Sequence, residues 1–232
     1  MEKSENLWFT ERERLDELQK NKSATIKLID MWKLFGSGYS CPFNLTREGN
    51  EGDGGKWICG LEKILSQKES CAIYSFGIAN DSTFEAELLG RTKNCSLFAY
   101  DPSVSQIGWP LTASTPRVTF QQFGLSFRDD RRERTLKTLM NQNGHKWIDV
   151  LKVDIEGHEY ESLFQAMNDF DGFPVGQLLV ELHVTSKPFN VTVFFTLIQK
   201  LESFGMRVFN YEPNPLCKMC CEYSFLNKKL FI

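Results

Sequence analysis

Two runs rich in aliphatic residues end in groups able to move protons: Ile148 to Asp154 closes on Asp154 with Glu156 just beyond, and Gln177 to His183 closes on Glu181 and His183. Side chains alternate along a strand, so Glu181 and His183 share a face. A carboxylate and an imidazole beside Asp154 can take a proton from a hydroxyl or an amine. Asp154, Glu181 and His183 are therefore the candidate catalytic residues. Glu159 and Glu161 have a simpler reading, as first-turn acids that favour a helix dipole. Asp154 and Glu156 precede that helix and escape this explanation. His183 also fits a half-buried, hydrogen-bonded structural histidine.

A second chemical feature follows the run Cys71 to Phe76. Ser75-Phe76-Gly77-Ile78-Ala79-Asn80-Asp81 leads into Ser82-Thr83-Phe84-Glu85, which has the form of a capping box opening a helix. Strand, glycine turn and capped helix together make a nucleotide-binding elbow, in which Gly77 lets the backbone approach a ligand. The second and third glycines of a dinucleotide fingerprint are absent, and Asn80 and Asp81 would meet a pyrophosphate with bulk and negative charge. The next run ends at Asp101-Pro102, and Asp101 lies near the spacing of a carboxylate that grips ribose hydroxyls. An Asp-Pro turn initiator is the plainer reading of that pair.

These residues need a scaffold that gathers strand ends. Strand patterns occur at Cys71 to Phe76, Leu97 to Asp101, Arg117 to Phe123, Ile148 to Asp154, Gln177 to His183, Met206 to Tyr211 and Cys221 to Leu226. Helical spacing occurs at Thr10 to Lys20, Ser23 to Phe35, Ser82 to Gly90, Arg131 to Asn141, Glu159 to Phe170 and Val191 to Phe204. Gly36 to Gly55, rich in glycine, reads as a long functional loop. The alternation predicts an α/β fold with a parallel sheet and crossover helices. No helix separates the last two strands, which predicts an antiparallel closing pair.

Composition narrows the function classes. Of 232 residues, 41% are hydrophobic and 25% charged, which excludes disorder and allows a substantial core. The net charge of −3 disfavours a nucleic-acid partner. The run Arg128 to Arg134 is a solvated helix start once its acids are counted. No apolar run reaches a membrane span and Met1 to Lys20 lacks a signal-peptide core, so stable membrane insertion is not expected. The compartment stays open. Seven cysteines cannot all pair within the chain. Cys217-x-x-Cys220 lacks the further ligands that zinc requires, which leaves a disulfide or inert thiols. Five Asn-x-Ser/Thr sequons, at Asn21, Asn44, Asn80, Asn94 and Asn190, exceed the roughly two expected by chance and hint at secretory ancestry.

The elements Asp53-Gly54-Gly55-Lys56-Trp57, Tyr74 to Ile78, Ala99 to Ser103, Phe123-Gly124-Leu125, Leu151 to Glu159 and Glu222 to Phe225 occur in an order that resembles the methyltransferase-like protein 24 family. That family is related to the FkbM-type S-adenosylmethionine (SAM)-dependent methyltransferases. The resemblance covers Gly52 to Ile232 and divides the chain into N-terminal helices and loop (1–50) and a methyltransferase domain (51–232). It implies a Rossmann-like class I fold, a seven-stranded, mostly parallel sheet with an antiparallel last strand. It also implies SAM as cofactor, with Gly77, Ile78, Ala79, Asn80 and Asp81 around the methionine part, Asp101 and Pro102 at the ribose, and Gly124 and Leu125 by the adenine. Asp154 and Glu156 would face the methionine or the acceptor, and a loop with Asp53 and Lys56 would close over the site. Ser75, Asn80 and Asp81 depart from many FkbM-type relatives.

The expected activity is O-methylation of a hydroxyl on a small molecule or sugar, with His183 or Asp154 as base. A non-catalytic binding protein on the same scaffold is the alternative. An NAD-dependent oxidoreductase is disfavoured by the missing glycines, and a metal-assisted transferase using Asp154, Glu156 and His183 is a lesser variant. A glycan at Asn80 would block the cofactor loop, so that sequon is expected to stay unused.

Overall fold

The computed structural model describes residues 2–20, 32–33, 36–52, 54–184 and 191–231. All seven expected strands are present in one sheet: β3 (Cys71–Phe76), β4 (Cys95–Tyr100), β5 (Val118–Gln121), β8 (Ile148–Val153), β9 (Val175–His183), β10 (Met206–Pro213) and β11 (Cys220–Asn227). The spatial order is β10-β11-β9-β8-β3-β4-β5. Neighbours from β9 to β5 run parallel, while β11 is antiparallel to both β9 and β10. The chain moves outward from β3 through β4 to β5, then returns to the other side of β3 with β8 and β9. That reversal opens a crevice at the carboxyl ends of β3 and β8.

Alternation along the strands builds two cores. Tyr74, Phe76, Leu151, Val153, Leu178 and Val180 face α4 (Leu136–Asn143), α5 (Glu159–Asp169) and α6 (Val191–Ser203), with Leu15 of α1 (Glu2–Lys20) at the margin. Ile73, Leu97, Ala99, Val150 and Leu179 face α2 (Leu61–Ser66) and α3 (Thr83–Arg91). Period-2 alternation in strands covered on both sides by helices gives this doubly wound arrangement. The first helix is stitched to α6 and β10 by Trp8, which donates to Glu202 Oε1 at 2.9 Å and stacks under the Arg207 guanidinium at 3.6 Å. Among the described residues no helix is long and apolar enough to cross a membrane.

Three local expectations need correction. Gly36 to Gly55 is not loop throughout: β1 (Leu45–Glu48) pairs antiparallel with β2 (Lys56–Cys59), a hairpin that straddles position 50. Each strand is four residues long and neither carries apolar alternation; a Cys41–Cys59 disulfide ties the segment before β1 to the end of β2, and buried Glu48 anchors β1 to Arg91 at 2.6 Å. The helix expected from Arg131 begins only at Leu136, capped by the Thr135 side chain. Glu133–Arg134 forms β7, pairing with β6 (Gly124–Leu125). Ser82 is no capping-box residue. Its hydroxyl donates to the Gly108 carbonyl and accepts the Leu111 N–H, and Asp81 Oδ1 accepts the Thr83 N–H in its place. Of the helix expected over Ser23 to Phe35 only Trp32 and Lys33 are described, and both are helical, while Asn21, Asp53 and Asn190 lie outside the described residues.

Cys217 and Cys220 form a disulfide, as do Cys71 and Cys95 at paired positions on β3 and β4, and Cys221 is left as a buried thiol.

Candidate functional site

A cavity of about 550 Å³ opens over the crevice. Its walls include Gly77, Ile78, Ala79, Asp81, Asp101, Pro102, Gly124, Leu125, Asp154, Glu156 and Glu181, so most residues expected from sequence meet in one place. Lys56, Asn80 and His183 are not on its walls. Asn80 is exposed at the elbow, with its backbone packed against Gly108.

The elbow is built by close approach. Gly77 has φ +75°, and a Cβ there would overlap the Asp154 carbonyl, so the turn accepts only glycine. Ala79 also takes a left-handed φ of 43°. Asp101 holds this conformation: its Oδ2 accepts the Ala79 N–H at 2.8 Å, and its Oδ1 accepts from Ser103 N and Oγ. Lys152 Nζ donates to the Gly77 carbonyl at 2.9 Å and lies 3.6 Å from buried Glu85, which accepts the Ser75 hydroxyl at 2.5 Å. Sequence reasoning missed Lys152 and Glu85. A lysine inside the apolar run Ile148 to Val153 was the available signal, and Glu85 was hidden by the capping-box reading.

A charge cluster backs Asp154 and Glu181 of the cavity wall. Lys56, buried on β2, donates to Glu222 on β11 and lies 3.7 Å from Asp154. Burial works against the ammonium, but Glu222, Asp154 and Glu181 outweigh it and raise the Lys56 pKa, so it stays charged. Glu181 accepts from Asn214 Nδ2 at 2.8 Å. Burial, then the charges of Glu222 and Asp154, push the Glu181 carboxyl up to about 7, against the opposing bond from Asn214 and the charge of Lys56. Glu222 was noted only within a motif, because nothing in sequence brings residue 222 to residue 56.

His183 stands beside the cavity. Its Nδ1 lies 2.9 Å from Glu159 Oε1 and its Nε2 3.5 Å from Glu156 Oε2. Burial lowers the imidazole pKa, but the bond and charge of Glu159, with Glu181 and Asp154, overcome this and raise it to about 9. The ring is therefore an imidazolium at neutral pH. Glu159, read from sequence as a dipole acid, is fully buried and also accepts the Ile155 and Gly157 N–H groups. Ligand atoms of Asp154, Glu156 and His183 come within 4.8 Å of one another, as do those of Asp154, Glu181 and Glu222. In the second group the Lys56 ammonium already supplies the cation.

A doubly wound sheet ordered β10-β11-β9-β8-β3-β4-β5, with a single-glycine elbow and an acidic residue ending the next strand, defines a class I methyltransferase-type domain. A family profile described as a methyltransferase domain matches residues 9–227, and the chain belongs to that family. It resembles the probable methyltransferase-like protein 24 of Homo sapiens, at 25% identity over 163 residues, 62% of this chain and 43% of that protein. The corresponding protein of Rattus norvegicus is 26% identical over 170 residues, 65% of this chain and 45% of that protein. The chain thus spans less than half the length of these relatives. Solved structures with similar folds include fibrillarin from Methanococcus jannaschii, at TM-score 0.46 and 12% identity, covering 69% of this chain and 68% of that one. Aeropyrum pernix fibrillarin with natively bound S-adenosyl-L-methionine gives TM-score 0.42 at 14% identity, covering 68% and 67%.

Proposed function

We propose that this chain is a SAM-dependent methyltransferase that methylates a hydroxyl on a small molecule or sugar. The observation that carries the reading is the Gly77 turn, clamped by Asp101 and Lys152, over a cavity of about 550 Å³ at the switch point of a methyltransferase-family sheet. A Cβ-free cradle with a carboxylate at the end of the following strand fits the amino-acid and ribose parts of SAM. Asp81, Asp101, Asp154, Glu156 and Glu181 give the cavity an acidic lining that suits a sulfonium cation.

When bound, SAM supplies an electrophilic methyl group that needs no covalent enzyme intermediate. The chain's task is to align the acceptor, exclude water and remove one proton. Glu181 is the base in this reading: it lines the cavity, and its carboxyl titrates near 7, where a general base is most effective at neutral pH. His183, a cation at that pH, serves as a positioning residue that pairs with buried Glu159 and faces Glu156 at the rim. Lys56, paired with Glu222, keeps Asp154 in place, and Asn214 holds Glu181. The three disulfides support synthesis in an oxidising compartment.

Calorimetric titration of the folded chain with SAM, its demethylated product and NAD tests the cofactor. Micromolar SAM binding that weakens in Asp101→Ala is the expected result. NAD binding without SAM binding would overturn the proposal, and a panel of hydroxylated acceptors then tests the reaction.

A further inference from the structure

We propose that Asn44 carries an N-linked glycan. The inference rests on the oxidising compartment indicated by the disulfides and is independent of the methyl acceptor. Three sequons fall among the described residues, and the structure separates them by what their side chains already do.

At Asn80 the sequon's Ser82 has a structural task, since its buried hydroxyl ties the elbow to Gly108 and Leu111. Asn80 itself sits between Ala79 and Asp81 of the cavity wall, where a glycan would obstruct the site. At Asn94 the side-chain amide donates to the Gln67 carbonyl at 2.8 Å, and the next residue is Cys95 of a disulfide. Both sequons are accounted for without a sugar.

Asn44-Leu45-Thr46 differs at each position. Asn44 is exposed, and its side chain has no hydrogen-bond partner among the described residues. Thr46 places a hydroxyl where it is buried with no partner, a position that valine would fill with the same shape and without the desolvation cost. A threonine kept at such a cost is explained when the sequon is read by a glycosyl-transferring enzyme. The placement also spares the cavity. Leu45 pairs with Cys59 at one end of the hairpin and Glu48 with Lys56 at the other, so Asn44 stands four strand positions, about 13 Å, from the end that reaches Asp154 and Glu222.

The modification balances with a lipid-diphosphate oligosaccharide as co-reactant. Asn44 Nδ2 attacks the anomeric carbon, a C–N bond forms, the C–O bond to phosphate breaks, and the lipid diphosphate leaves with the electron pair while one amide proton is lost to the transferring enzyme.

The test uses the complete protein made in eukaryotic cells, with thiols alkylated before reduction and the proteolytic peptides then stripped of glycan by peptide N-glycosidase in heavy-oxygen water. A heavy-oxygen aspartate at position 44 is expected, together with its loss in Asn44→Gln and in Thr46→Val, the latter melting no lower than the parent. Intact disulfides with an unmodified Asn44, or a mark only at Asn80 or Asn94, overturn the glycan while leaving the compartment standing. Seven thiols alkylated without reduction overturn both. Calorimetry with SAM on the same material reports separately on the methyltransferase reading.

Discussion

Asp101 Oδ2 accepts the backbone N–H of Ala79 at 2.8 Å, so the residue that ends one strand holds the turn that ends its neighbour. Asp101 as a residue is only 4% exposed, and its other carboxylate oxygen is bound by Ser103. Asp101→Ala removes the clamp along with any ribose contact. SAM affinity is expected to fall at least tenfold, with a stability loss of about 1 to 3 kcal/mol from the unpaired N–H groups. Asp101→Asn should lose less of both. Titration calorimetry and thermal melts check this pair.

Gly77→Ala should be far more damaging than its size suggests. The added methyl meets the Asp154 carbonyl and the residue keeps a left-handed φ, so the elbow must move away from β8. A cost of about 1 to 3 kcal/mol and loss of cofactor binding are expected. Retained SAM affinity with an unchanged melting temperature would show that the turn is not the cofactor cradle.

Glu181→Gln should lower kcat by roughly 10² to 10⁴ with SAM affinity little changed. In the parent, turnover should rise with pH through about 7 as the Glu181 carboxyl ionises. That limb should vanish in the variant. His183→Asn should keep the limb, and a pH profile flattened by this change instead would transfer the base role to His183.

His183 also makes stability pH-dependent. Its folded pKa of about 9 lies above the ordinary 6.5, so the ion-paired imidazolium stabilises the fold fully below about 6.5, and this is lost as pH rises through 9. The span corresponds to on the order of 3 kcal/mol. Glu181 adds to the same slope, because a carboxyl raised to about 7 favours the fold below its ordinary 4.5 and loses that contribution as pH rises through 7. Denaturant midpoints should fall from pH 6 to pH 9, and fall less in His183→Asn.

Local patterns carried much of the architecture. Tyr74 and Phe76 alternate with Ile73 and Ser75, a period that any strand covered on both faces must show, and the absence of a helix between Met206 to Tyr211 and Cys221 to Leu226 was enough to expect the antiparallel ending. The short hairpin of Leu45–Glu48 and Lys56–Cys59 escaped notice because its strands are only four residues long and its anchors, the Cys41–Cys59 disulfide and Glu48 meeting Arg91, join positions 18 and 43 apart.

The same division runs through the site. From sequence alone came the α/β class, the strand ends that carry Asp101, Asp154, Glu181 and His183, and the glycine turn at Gly77, because strand period and turn chemistry act over a few neighbouring residues. Only the tertiary structure decided which groups are charged and what they hold. Lys56 reaches Glu222 across 166 positions, Glu159 turns His183 into a cation, and Glu181 is left as the carboxyl that titrates near 7. These properties depend on burial and on charges brought close through space, which no local spacing records.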